Sequence, residues 1–91
     1  MSSAFVPPPP VARFLECRLA DLVVSQPARV VAVLEAGALG ERLMELGLTA
    51  NAPIEVVRRG PFGDPMQVCI RGYMLSLRRA QAEAVRVRVA A

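Results

Sequence analysis

The groups in this chain that could do chemistry are eleven arginines, eight carboxylates and two thiols; there is no lysine and no histidine. Cys17 and Cys69 lie far apart and show no CxxC spacing, so a zinc or iron site built from Cys and His within one chain is not expected. The lack of imidazole also removes Ser-His and Cys-His catalytic pairs. No paired carboxylates, no nucleophile with its base and no phosphate-cradling glycine loop stand in the sequence, which argues against an enzyme. The expectation is a protein without cofactor or metal, whose chemistry is left to its arginines. Arg58 and Arg59 stand directly ahead of the turn-rich run G-P-F-G-D-P at residues 60–65. Their plain use, shared with Arg71, is a solvated strand face, the default for charged residues on strands.

Charge and composition narrow the partners. A net charge of +3 permits weak attraction to an acidic protein face, RNA or anionic headgroups, but a committed duplex binder shows a denser basic stripe. One Tyr, three Phe and no Trp leave few rings on which bases could stack, so direct nucleic-acid binding is not expected. The start has no basic n-region, and prolines interrupt any apolar h-region. A cytoplasmic protein with reduced thiols, not inserted in a membrane, is the expectation.

The clearest frame for holding these groups is E-R-L-M-E-L-G-L at residues 41–48. Leu39, Leu43 and Leu46 recur at i, i+4 and i+7, one face of a 3.6-residue period, while Arg42 and Glu45 face away from that stripe. Gly47 then falls where the chain must enter the left-handed region, and Leu48 can fold back on Leu43 in a Schellman ending. Met44 has two readings, a core edge or a partner contact. Ahead of the folded part, residues 1–16 carry four consecutive prolines at 7–10, which favour an extended polyproline II tail without backbone donors. Such a tail is a spacer or, more sharply, a ligand for a recognition groove, the domain's own included. Phe5, Val6 and Phe14 are apolar enough to hold a neighbour, which leaves weak self-association open.

Residues 17–91 are expected to form one domain. L-A-D-L at 19–22 is a short helix leading into the core, broken at Gln26-Pro27. The run 29–34 is a first strand bent into the core, and 35–38 the turn to the central helix. Asn51 can take positive φ in the next turn. Residues 54–59 and 66–71 are strands around the loop 60–65, with Cys69 on the less buried side, and 74–77 follows a tight reversal at Arg71-Gly72-Tyr73. A helical turn precedes a last strand in which Val85, Val87 and Val89 alternate with Arg86 and Arg88. The fold class is mostly β: a small, partly open five-stranded barrel with a short leading helix and one short amphipathic helix.

The pieces L-A-D-L, E-R-L-M-E-L-G-L, R-R-G-P-F-G-D-P and R-G-Y-M-L-S-L-R, in this order and spacing, resemble the FeoA family of small SH3-like barrels from bacterial ferrous iron uptake. The resemblance spans about residues 19–89. Ser25 and Asn51 depart from it, standing at turn positions that are usually Gly. It implies a cytoplasmic accessory of the FeoB membrane transporter that touches the transporter's G-protein domain or another cytoplasmic segment. Similar domains also end iron-dependent repressors, and the alternative is an SH3-like regulatory domain of that kind.

The exposed pieces most peculiar to this chain are the expected contacts with such a partner. They are Arg42, Met44 and Glu45 on the helix, and Arg58, Arg59, Phe62 and Asp64 around the 60–65 loop. Phe62 matters most among them. It either fills a partner pocket from a stiffened loop or folds back over the open end of the barrel. Asp64 has a second use in turn chemistry.

Overall fold

Valine alternating with arginine makes a strand with one wet face. Val85, Val87 and Val89 are buried and Arg86 and Arg88 are turned outward along β6, Val85–Ala90. The same period buries Met66, Val68 and Ile70 of β4, Met66–Ile70. The computed structural model describes residues 14–90 and sets four further strands beside these: β1 (Phe14–Arg18), β2 (Ala28–Val33), β3 (Pro53–Arg59) and β5 (Tyr73–Leu77). All six form one antiparallel sheet in the order β1-β6-β2-β3-β4-β5. The fold is mostly β and small, with two short helices, as the alternation predicts. It differs from the expectation in having six strands, and in a sheet that stays open with β1 and β5 as its edges.

The unexpected strand is β1. Residues 14–16 were expected in the tail, yet Phe14 pairs with Ala90 and the ladder runs on to Arg18 opposite Arg86. Only Cys17 of its five residues is even half-buried, so F-L-E-C-R carries no burial pattern to read. The proline run lies outside the described residues.

The continuous V-V-A-V of β2 has its reason in a register shift between Val30 and Ala32. A bulge there breaks the period of two, so that Val30 is buried and Val33, three residues on, also packs against the core. L-A-D-L makes a 3-10 turn, Leu19–Asp21, with Leu19 and Leu22 both buried. Helix α1 runs Gly37–Glu45, beginning where a turn was expected. Leu43 is its buried anchor, whereas Leu39 and Leu46 are half-covered.

Its end is the predicted one. Gly47 has φ of +103°. The Leu48 N–H donates to the Leu43 carbonyl at 3.1 Å and the Gly47 N–H to that of Met44 at 3.0 Å, the two bonds of a Schellman motif. Leu48 is thereby driven into the core. Helix α2, Arg79–Glu83, is a single turn whose start is closed by the Arg78 N–H donating to Gln81 Oε1 at 2.8 Å. No charged or polar residue is buried among the described residues, so the core is held by apolar packing alone.

Candidate partner-binding site

The seven candidate residues fall into two groups, one at each end of β3. At the first end, the C-terminus of α1 rests on the turn between β4 and β5. A helix leaves its last carbonyls without internal partners; the Tyr73 hydroxyl donates to one of them, at Leu46. Arg71 Nη2 donates to Thr49 Oγ1 at 2.7 Å, closing the same corner. These contacts fix α1 so that Arg42, Met44 and Glu45 all face solvent. Met44 is 52% exposed, which makes it surface and not a core edge. Neither Arg42 nor Glu45 has an ion-pair partner among the described residues.

The second group surrounds the loop from β3 to β4. Gly60 N–H donates to the Pro65 carbonyl at 2.7 Å and Gly63 N–H to that of Gly60 at 2.9 Å, so the loop closes on itself. The Asp64–Pro65 peptide is cis. Phe62 stands at the tip, 101% exposed and with φ of +58°. The alternative in which it covers the open end of the sheet is therefore corrected: its ring touches none of the core. Positive φ is unfavourable for a bulky side chain, so the loop holds an aromatic outward in a backbone conformation that costs energy.

The polar candidates here are tied inward as well. Asp64 Oδ1 accepts from the Arg79 N–H at 3.0 Å, joining the loop to the start of α2. Arg59 Nη2 donates to the Leu22 carbonyl at 2.6 Å in a half-buried position, pinning the leading turn to β3. Arg58 Nε donates to Gln67 Oε1 across the hairpin. Beside them runs a groove of about 380 Å³ between Arg58, Arg59, Pro61, Pro65, Gln67 and Ser76.

The two groups do not form one surface. β3 begins at Pro53, whose carbonyl accepts from Arg71 at the α1 corner, and ends at Arg59 beside the loop. Six strand steps put the two ends of β3 ~20 Å apart.

Two features escape the sequence. Asn51 joins β2 and β6: its carbonyl accepts from Arg29 Nη1 and its Oδ1 from Arg88 Nη2, both at 2.8 Å, while Arg88 also lies 4.9 Å over the Phe14 ring. The turn position of Asn51 was legible, but not the arginines that converge on it. The other feature is β5, whose uncharged Y-M-L-S-L is visible in sequence only as a strand. Both cysteines are free and half-buried. Burial pushes the Cys17 thiol above its ordinary range, Asp21 adds to the rise and Arg86 opposes it. Among the described residues, no three His, Cys, Asp or Glu side chains stand together as a metal site, and no helix is long and apolar enough to cross a membrane.

An open sheet with its core sealed by apolar packing, an exposed aromatic loop and an arginine-lined groove defines a small SH3-like domain. Comparison with known proteins then gives the family. The profile of the FeoA domain matches residues 17–89. The chain belongs to the FeoA family.

Three relatives illustrate the likeness. A Fe(2+) transport protein A/Fe(2+) transporter FeoB fusion protein of Porphyromonas gingivalis is 34% identical over 70 residues, 77% of this chain and 8% of that protein. The chain thus spans under a tenth of the curated relative that it matches. The solution structure of the Chlorobium tepidum FeoA protein is 37% identical, with a TM-score of 0.75 over 82% of this chain and 71% of that one. FeoA of Stenotrophomonas maltophilia, a prokaryotic SH3 domain protein solved with zinc, is 29% identical, with a TM-score of 0.70 over 78% and 88% of the two chains. T. acidophilum IdeR and manganese-dependent transcriptional repressors match at 20–21% identity, which shows a shared fold alone.

Proposed function

We propose that this chain is a cytoplasmic accessory of ferrous iron uptake that works by binding the cytoplasmic region of a FeoB-type transporter. The observation that carries the proposal is the fusion relative, in which a segment 34% identical to this chain is joined to FeoB. Joining two partners in one chain raises their effective concentration to roughly millimolar, which is useful only where they meet. A mild net charge and a surface without a dense basic stripe suit a protein partner better than a nucleic acid. The role is one of binding and regulation, not catalysis.

Phe62 is the contact we favour, because a strained backbone that projects a ring wholly into solvent has no use inside the domain. Arg58 and Arg59 flank it and steer the encounter. Arg42, Met44 and Glu45, at the other end of β3, are a second contact for a partner large enough to span that strand. The resemblance to repressor chains is one of fold and carries no DNA-linked role. A pull-down of the transporter's cytoplasmic domain with the purified chain, with and without GTP, tests the proposal. Association in at least one nucleotide state is expected, and none in either state would overturn it.

A further inference from the structure

Among the described residues, strand β5 is an edge that no charge, proline or bulge guards. Proteins protect such edges with charges, prolines or bulges, because a row of open N–H and C=O groups invites another strand. The opposite edge is protected: β1 contains Glu16 and Arg18, and Arg18 is paired with Asp21 at 2.9 Å and Glu83 at 3.7 Å. β5 reads Y-M-L-S-L and pairs with β4 in unbroken register from Met66 opposite Leu77 to Ile70 opposite Tyr73. Among the described residues no strand pairs with its outer side. Tyr73 and Met74 of this strand, on opposite faces of the sheet, are 45% and 51% exposed.

The turn into β5 decides which of its backbone groups are free. Arg71 and Gly72 have φ of +49° and +87°, the two positive values of a two-residue hairpin turn. In such a hairpin the flanking pair, Ile70 and Tyr73, exchange hydrogen bonds, and bonded and non-bonded pairs then alternate. Tyr73, Leu75 and Leu77 accordingly turn their backbone groups to β4. Met74 and Ser76 turn theirs to the open side.

Charge tells what fits. Residues 66–82 contain Arg71, Arg78 and Arg79 and no acid, a surplus equal to the whole chain's net charge of +3. Arg71 lies just before the edge strand and the other two just after it. Arg79 is partly answered by Glu83 at 3.8 Å; Arg78 has no ion-pair partner among the described residues. We infer that β5 takes up an extended, acidic-ended segment of a partner protein as a seventh strand.

A second copy is the other natural occupant, and in the register that overlaps the two strands fully, charge opposes it. With two β5 strands antiparallel and centred on Leu75, Arg71 falls opposite Arg79 and Gly72 opposite Arg78, so like charges meet at both ends. A segment with carboxylates at its ends meets arginines instead. The inference is independent of which protein supplies that segment and of any role in iron uptake.

The test is an NMR titration of the isotope-labelled chain with a blocked octapeptide: two glutamates at each end and alternating threonine and valine between. Shifts are expected at Met74 and Ser76, with binding at least about tenfold weaker for the peptide carrying lysines in place of glutamates. Methylating the backbone nitrogens of the valines, or alternatively of the threonines, must abolish binding in one of the two cases. Ser76→Pro, which removes an outward donor at an edge where proline is tolerated, should abolish binding while the β6 resonances stay in place. Arg78→Glu should narrow or reverse the preference for glutamate over lysine. No shift at β5 up to millimolar peptide, equal binding by both methylated peptides, or dimerisation through β5 at that concentration would overturn the inference.

Discussion

Ser25 and Asn51 hold the same left-handed backbone, each with φ of +69°. They are the two turn positions at which the resemblance drawn from the sequence implies glycine. The conformation costs an ordinary residue roughly 1 to 2 kcal/mol, and glycine returns part of that gain through its greater freedom when unfolded. Ser25→Gly should therefore raise stability by about 0.5 to 1 kcal/mol in a thermal or urea melt. Asn51→Gly should not, since it also removes the Oδ1 that accepts from Arg88 at 2.8 Å, a bond of about 1 kcal/mol. A melt in which the two variants move together would show that the Asn51 bond contributes nothing.

The end of α1 is the next place to test. Leu43→Ala should destabilise by about 2 to 5 kcal/mol through lost transfer and an unfilled cavity, since Leu43 is completely buried. Gly47→Val adds a β-branched side chain at φ of +103°, with its first atom 2.7 Å from the Tyr73 hydroxyl. A loss of about 2 kcal/mol or more is expected, with the Tyr73 contact to Leu46 displaced. If Gly47→Val melts with the parent, the helix does not end as described.

Much of this was legible before the structure. The Schellman ending follows from Gly47 and Leu48, and the strands β3, β4 and β6 from residues that alternate and are buried on one side. β1 was not legible, because an edge strand covered by one neighbour leaves its side chains wet on both faces and erases the period of two. The start of α1 was hidden for a related reason: Gly37 and Ala38 lie outside the leucine stripe and carry no signal of their own. Among the candidate contacts, sequence could mark Phe62 as exceptional but could not choose its direction. The separation of the two groups of contacts depends on which end of β3 each occupies, and only tertiary pairing fixes that.

For Phe62 the expected result is a split between stability and binding. Phe62→Ala should change stability by no more than about 0.5 kcal/mol, since the ring is fully exposed. Binding to the transporter's cytoplasmic region should weaken by about 2 kcal/mol or more if the ring fills a pocket. Thermal melts paired with a pull-down separate the two quantities. Unchanged binding would remove Phe62 from the contact.

Cys17 supplies a prediction in pH. Burial first, then the Asp21 charge, raise its folded pKa above the ordinary thiol value. Unfolded chain therefore loses this proton first as pH rises, so the stabilising contribution is complete below the ordinary thiol range and is lost as pH climbs through the raised value. Alkylation of Cys17 near pH 8 should likewise be slower in the folded chain than in urea, because the thiolate is the reacting form. Mass spectrometry can follow each cysteine separately. Equal folded and unfolded rates at Cys17 would contradict the assignment.

The pairing of Phe14 with Ala90 has a consequence for anything joined to this domain. It puts the two described ends of the chain side by side on one margin of the sheet, close enough for a short linker to join them and for the chain to be reopened at the loop 60–65 as a circular permutant. A covalent tether leaving after β6 starts beside β1, with β2, β3 and β4 between it and β5. At the spacing of neighbouring strands that is ~19 Å of intervening sheet. A domain carried on such a tether therefore hangs from the crowded margin and leaves β5 clear for a different molecule, so that one small sheet can serve as a bridge between the two.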